Sequence, residues 1–338
     1  MLKVAAFTGG VNEPCARFRV RQHLKLLEKY DIDMTDLSSS LGTFPPSLKL
    51  LRPLWGVANI LQHLPKVISS YNYDVSLIQR EFLSTFYTLE GLTKKPRVLD
   101  VDDAIWVYRD GNAAKRLAKN SSAIMCGNLF LQDWFSQYNS NIKVIPTAVD
   151  SEYFKPTEYV ERDSIILGWS GLGSGLSYFM DSELDQALKF ILRKYKNVSL
   201  RIVSDKIIKF DLPAESVKFV KWCPENEVSA IQDIDIGLMP LKDSEFQRGK
   251  CSYKMLTYMS CERPVVVSPV GMNADVLKMG NVGFPARNKD EWIATLEYLI
   301  ESHSIRKEIG LNGREVILSK FDLPVVAKSI SEVLRSVK

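Results

Sequence analysis

Residues Val144–Pro156 read VIPTAVDSEYFKP, and this stretch decides how the rest of the chain divides. Two prolines and an acidic turn interrupt a regular alternation of short apolar runs with helical periodicity, and the alternation restarts at Ser164. Upstream, Leu2–Phe7, Asp31–Leu37, Asp74–Gln79, Arg97–Val101, Ser122–Cys126 and Ile142–Ile145 read as strands, with helices expected over Arg17–Tyr30 and Leu129–Tyr138. Downstream, Ser164–Trp169, Ser199–Val203, Val217–Val220, Ile234–Met239, Val265–Val267 and Val282–Phe284 repeat the pattern. Helices are expected there over 184–195, Ser252–Cys261, Asp290–Glu301, Ile305–Lys320 and Leu323–Val337. Two runs of βα units joined by a proline-containing linker predict an α/β protein of two Rossmann-like, doubly wound domains facing one another across a cleft. The expected boundaries are 1–149 and 150–322, with the closing helix, 323–338, available to pack back on the first domain.

Composition agrees with two cores. The chain has 338 residues, 46% hydrophobic and 25% charged, as expected of a soluble globular protein larger than one ordinary domain. Its net charge of +4 is too mild to argue for nucleic acid, although it suits an anionic substrate or membrane surface. Cys15, Cys126, Cys223, Cys251 and Cys261 are scattered, without C-x-x-C spacing, so reduced thiols, no zinc site and a cytoplasmic location are expected. The opening MLKVAAFTGG is too short an apolar run for a signal peptide, and no later run approaches the length of a membrane span. The stretch 47–70 is basic and amphipathic; packing on a sheet is the larger expectation, and peripheral contact with an anionic membrane is the alternative.

In an open parallel sheet, ligands gather at the C-terminal ends of the strands. That rule collects Gly9 and Gly10 after the first strand and Asp102 after the fourth, with Ser170, Gly171 and Trp222 from the second half. The glycine turns permit close backbone approach, though a tight turn alone would use them too. Gly171–Gly175 lacks a glycine at Leu176, and no acid stands in a ribose position, which disfavours hydride chemistry. Asp100 and Asp102 share a strand face, the spacing of a metal and diphosphate signature, but a carboxylate at a strand end equally caps a helix, and no metal is expected. The strongest signal is the basic start of the Ser252–Cys261 helix. Arg248, Lys250 and Lys254 crowd the positive end of its dipole, each unfavourable by about 0.3–1 kcal/mol unless an anion intervenes. Helix N–H groups and basic side chains together point to a phosphorylated ligand.

With those residues in view, VIPTAVDSEYFKP resembles the linker of retaining GT-B glycosyltransferases of the family 4 type, the glycosyl transferases group 1. The segment RGKCSYKMLTYMSCERPVVVSPVG, 248–271, is similar to their donor-binding segment, and DVDDAIW and RFRVRQHL resemble N-terminal motifs of one branch. The resemblance implies a nucleoside-diphosphate sugar as donor and a glycan or lipid-linked saccharide as acceptor, in cell-surface polysaccharide or glycoconjugate synthesis. It implies retention of configuration, no metal or other cofactor, and work in the cytoplasm or at the inner face of the membrane. Departures are specific. Gly249 and Thr257 stand where many relatives have the two carboxylates of a Glu-x7-Glu motif. Gly171 stands at the position of a diphosphate-gripping arginine, no lysine follows before Lys189, and Asp102 replaces a histidine near the transferred sugar. Glu262 replaces a glycine of the branch pattern.

The resulting assignment gives the diphosphate Arg248, Lys250, Lys254, Gly9, Gly10, Ser170 and Gly171, and gives nucleobase and ribose Trp222 and Thr257. Asp102 and Asp103 are the catalytic candidates, with Glu81 a further possible base, although no nucleophile stands out. The rival readings are a GT-B protein that binds a nucleotide or steadies a partner without transfer, a sugar-nucleotide epimerase or phosphorylase, and a metal-dependent transferase using Asp100 and Asp102.

Overall fold

A computed structural model describes residues 1–10, 13–158, 162–180, 182–206 and 211–338. The strands of the first half are β1 (Leu2–Phe7), β2 (Ile32–Asp36), β3 (Val75–Gln79), β4 (Arg97–Val101), β5 (Ala123–Cys126) and β6 (Ile142–Val144), joined in the order β2-β1-β3-β4-β5-β6. The second half supplies β7 (Ile165–Ser170), β8 (Val198–Ser204), β9 (Val217–Lys221), β10 (Ile236–Met239), β11 (Val265–Val267) and β12 (Gly283–Pro285), in the order β12-β11-β10-β7-β8-β9. Every strand pairing in both sheets is parallel. Each residue of β3, β4 and β5 is buried, the polar Ser76, Gln79, Arg97 and Asp100 included, which is the state of central strands in a parallel sheet covered on both faces.

Two compact units result. One comprises Met1–Ala148, Arg248–Cys251 and Leu323–Lys338; the other comprises Val149–Gln247 and Ser252–Asp322. The closing helix, Leu323–Ser336, buries Val326, Ile330, Val333 and Leu334 in the core that contains Val4, Leu27 and Leu77, and Arg335 donates to the Tyr30 carbonyl. The second core gathers Leu167 and Trp169 of β7, Leu200 of β8, Leu188 and Ile191, and Trp292.

The stretch VIPTAVDSEYFKP is hydrogen-bonded within each unit along its length. In the first unit Arg19 Nη1 donates to the Ile145 carbonyl at 2.7 Å, and Gln22 Nε2 donates to the Ala148 carbonyl at 3.1 Å. In the second, the Val149 N–H donates to the Phe321 carbonyl at 2.8 Å, and Ser260 Oγ donates to the Phe154 carbonyl at 2.7 Å. Arg19 and Gln22 belong to RFRVRQHL, so two of the quoted motifs are parts of one hydrogen-bonded arrangement.

Local departures from the sequence reading have physical causes. The helix expected over Arg17–Tyr30 starts earlier, at Pro14, stops at Arg19, and continues as short 3-10 and α turns to Tyr30. Arg19 and His23 turn inward there beside Val20 and Leu27, so the segment breaks helical register to bury two polar groups that apolar periodicity does not register. The last expected helix but one, Ile305–Lys320, runs from His303 to Val316 and finishes as a wider π turn, Ile317–Phe321. The helix within 47–70, Arg52–Ser69, does not pack its apolar stripe on the sheet: it buries Asn59, His63 and Val67 and leaves its leucines outside.

Candidate functional site

In the second unit the strand order reverses between β7 and β10, so the C-terminal end of β7 is a ligand position by topology. Trp169, near that end, is buried, and the Lys254 ammonium lies over its ring, 4.3 Å from the centroid. Gly171 makes this possible. A methyl group there would stand 2.5 Å from Lys254 Nζ and 2.9 Å from Trp169 Cη2. The place where relatives would carry an arginine is therefore taken by a lysine arriving from the Tyr253–Ser260 helix.

The backbone donors of the same turn are largely committed within the protein. Ser170 N–H donates to the buried Tyr258 phenol oxygen at 2.8 Å, and Gly171 N–H to the Val203 carbonyl at 3.0 Å. Gly173 N–H donates to Asp205 Oδ1 at 2.6 Å, a bond that lowers the Asp205 carboxyl below its usual range. The Lys254 ammonium therefore lies at an end of the sheet whose nearby amides are taken up within the protein.

The Tyr253–Ser260 helix is shorter by one residue at each end than expected and is buried on every side from Met255 to Ser260. Ser252, left-handed at φ 53°, precedes it, and no side-chain hydrogen bond caps its N-terminus, since Ser252 Oγ donates instead to Asn273 Oδ1 at 2.7 Å. Thr257 is buried, with its hydroxyl turned back to donate to the Lys254 carbonyl at 2.8 Å. Trp222 follows β9 half-buried, its N–H donating to the Ser204 carbonyl at 2.9 Å.

In the first unit the order reverses between β1 and β3. Gly9 lies at the end of β1, and the space a side chain would need there is filled by Glu13, whose Oε2 would be 1.9 Å from a methyl group. Glu13 Oε1 accepts from the Thr43 N–H at 2.7 Å, and Gly10 packs against Gly42. The glycine pair thus accommodates the chain's own acid.

Four acids that look alike in the sequence have different environments. Asp100 is buried in an ion pair with Arg19, whose Nε donates to Oδ2 at 3.1 Å and whose Nη2 reaches Oδ1. Glu81 is buried too; Arg80 Nε donates to its Oε2 at 3.2 Å and the Thr85 N–H to its Oε1 at 2.9 Å, which makes it a loop-shaping residue rather than an available base. Asp103 pairs with Lys250, Nζ to Oδ1 2.8 Å. Asp102 is partly buried, and among the described residues nothing donates to its carboxyl. Burial first, and the adjacent Asp103 charge second, push that carboxyl up to about 6.

The Arg248–Cys251 run is held to this first-unit group. Asn128 Nδ2 donates to the Arg248 and Lys250 carbonyls at 3.2 and 3.0 Å, while its Oδ1 caps the Leu129–Ser136 helix by accepting from Leu131 N–H at 2.9 Å. Cys251 Sγ donates to the Asp102 carbonyl at 3.2 Å. Gly249 lies against Ala104, where a methyl group would be 2.7 Å from the Ala104 nitrogen and 2.8 Å from its Cβ. The position that matches the first family carboxylate therefore has no room for a side chain. The three expected cations accordingly differ in setting: Arg248 is exposed at the end of the Glu245–Arg248 turn, Lys250 is paired with Asp103, and Lys254 lies on Trp169.

Trp169, Tyr258, Arg19 and Asn128 shape these positions without having been singled out by sequence reading. Asn128 alone had a readable signal, an N-cap residue directly before an apolar helix.

Residues 180–302 match the family model described as Glycosyl transferases group 1. No curated protein sequence matches the chain significantly. Among solved structures, sucrose-phosphate synthase from Thermosynechococcus elongatus is similar at a TM-score of 0.71 and 13% identity, covering 99% of each chain. Anabaena HepE in complex with UDP and glucose is similar at 0.71 and 17%, covering 99% of this chain and 100% of that one. WaaG, a glycosyltransferase involved in lipopolysaccharide biosynthesis, is similar at 0.67 and 14%, with 99% of each chain covered. The chain therefore has the GT-B glycosyltransferase fold, and its residues 180–302 carry the glycosyl transferases group 1 signature.

Proposed function

We propose that this protein moves a sugar from a nucleoside-diphosphate sugar to a glycan or lipid-linked saccharide acceptor, retaining the anomeric configuration and using no metal ion. The setting is cell-surface polysaccharide or glycoconjugate synthesis on the cytoplasmic side of a membrane. The observation that carries the reading is Lys254, an ammonium held 4.3 Å over Trp169 at the strand-order reversal of a group 1 glycosyltransferase domain. A cation fixed before the donor arrives stabilises the diphosphate as its charge grows on departure, usually the largest electrostatic contribution to such a step.

The other residues take roles around that one. The N-terminus of the Tyr253–Ser260 helix, which the Ser252 side chain does not cap, adds partial positive charge for the same phosphates; in the first unit Arg248 and Lys250 are the cations offered to an anionic substrate, with Asp103 orienting Lys250. Ser170 and Gly171 form the backbone walls of the diphosphate position in the second unit, while half-buried Trp222 stacks on the base. Asp102, its carboxyl raised toward neutral pH, hydrogen-bonds the transferred sugar. The acceptor hydroxyl attacks the anomeric carbon on the face the leaving group departs from, and its proton passes to the leaving phosphate oxygen.

The test is a panel of nucleotide sugars, with release of nucleoside diphosphate read in the presence of EDTA and a saccharide extract as acceptor. UDP-sugars come first, because a similar fold carries UDP in HepE. Release from one donor that persists with EDTA is expected; release abolished by EDTA and restored by manganese would overturn the metal-free step. One observation favours a second reading, a GT-B protein that binds nucleotide without transferring sugar: Gly249 has no room for the carboxylate that many relatives place on the donor sugar. Nucleotide binding without turnover on any donor and acceptor would establish it.

A further inference from the structure

The Arg52–Ser69 helix is inside out. Its inward side is polar: Asn59 Nδ2 donates to the Gly42 carbonyl at 2.7 Å, Gln62 Nε2 to Ser39 Oγ at 2.9 Å, and Lys66 Nζ to the Ser38 carbonyl at 2.5 Å. The His63 ring stacks on Phe82, with 4.5 Å between centroids. The outward side carries Leu54, Val57, Leu61, Leu64 and Ile68, continued by Leu50 in the preceding Lys49–Leu51 turn, spaced alternately by four and three residues and so aligned in one stripe. Leu50 is 94% exposed, Ile68 71%, Leu54 70%, and Val57 and Leu61 57% each. A scattered exposed leucine needs no explanation, but an unbroken stripe along a whole helix does.

Charge identifies the occupant. Between Asp36 and Asp74 the sequence has no acidic residue; Lys66 is turned inward to Ser38, while Lys49 and Arg52 flank the start of the stripe. Lys49 and Arg52 are exposed beside Leu50. An anionic bilayer asks for this combination: apolar side chains at one depth along a helix lying in the interface plane, cations beside them at headgroup level, and no carboxylate to be repelled. No helix among the described residues is long and apolar enough to cross a membrane, so the contact is with the surface.

We propose that the 48–68 face docks this protein on the surface of a bilayer containing anionic lipid. The proposal does not depend on sugar transfer, and its test needs no nucleotide. The full chain is sedimented with phosphatidylcholine vesicles with and without about 30% phosphatidylglycerol, at low and high salt. Binding to the anionic vesicles is expected, weakened by salt and reduced by a factor of roughly 10 or more in the double variant L54E/L61E. K49E/R52E should lose the preference for anionic lipid. Both substitutions fall on exposed positions, so unchanged circular dichroism and melting are expected. Absence of wild-type binding to anionic vesicles, or equal binding by L54E/L61E, overturns the proposal. A wild-type dimer in analytical ultracentrifugation that L54E/L61E dissolves, without vesicle binding, would assign the stripe to a second copy of the chain instead.

Discussion

Replacing Lys254 by Met tests the proposed donor site. Methionine keeps an unbranched apolar side chain of similar length, while removing the ammonium that lies 4.3 Å from the ring centroid. A hydrogen bond to a charged group contributes about 1.5–3 kcal/mol. At about 1.4 kcal/mol per factor of ten, losing one such contact to the diphosphate weakens binding roughly 10- to 100-fold. Pre-orientation places the effect toward the upper end, because an ammonium already lying on a buried indole gives up less rotamer freedom on binding than a lysine waving in water. Gly171→Ala is the graded companion. Its methyl would be 2.5 Å from Nζ and 2.7 Å from Cε, so the side chain must swing off the ring and lose a contact worth about 0.5–1 kcal/mol. Isothermal titration with UDP should show a loss of a few fold for G171A and at least tenfold for K254M. Gly175→Ala serves as control, since its methyl would meet Trp169 at an ordinary 3.4 Å. K254M binding UDP within twofold of wild type would refute the assignment of Lys254 to the diphosphate.

Two further outcomes follow from the first unit. Gly249→Ala must push a methyl to 2.7 Å from the Ala104 backbone nitrogen, which no side-chain rotation relieves, so a stability loss of about 1–3 kcal/mol is expected in urea unfolding; no loss would mean that the 248–251 run is not seated as described. The Asp102 carboxyl, raised from an ordinary 3.8 to about 6 by burial and then by Asp103, should fall in Asp103→Asn but stay above the ordinary value, because burial is the larger cause. Its linkage to stability has one sign. A raised folded-state value means that the native protein holds this proton more tightly, so the contribution is full below about pH 4 and is lost as pH rises through about 6. Carboxyl NMR of the two proteins checks both points, and an unchanged or higher Asp102 value in Asp103→Asn would refute them.

The alternation of strands and helices was legible because apolar periodicity reports burial directly, and burial on both faces is what β3, β4 and β5 experience. Partner choice was not legible. Asp100, Asp102, Asp103 and Glu81 are equivalent as letters, and what separates them is Arg19, 81 residues away from Asp100, and Lys250, 147 residues away from Asp103. The direction of an amphipathic helix was likewise not fixed by its own pattern. The 52–69 stripe shows the period of a core helix and faces outward, because Asn59, Gln62 and Lys66 find backbone and hydroxyl partners in 38–43 that no leucine could use. The two glycines at departures from the family pattern now have a common physical account. At Gly171 the absent side chain leaves room for Lys254, whose ammonium lies over Trp169. At Gly249 the space is closed by Ala104, so no side chain can enter and the carboxylate is lost outright. Under the proposed transfer, a substituted cation keeps the means of stabilising a departing diphosphate, whereas a lost carboxylate alters how the sugar itself is held. Any difference of this protein from its relatives should therefore appear in the choice of donor sugar before it appears in affinity for the nucleotide.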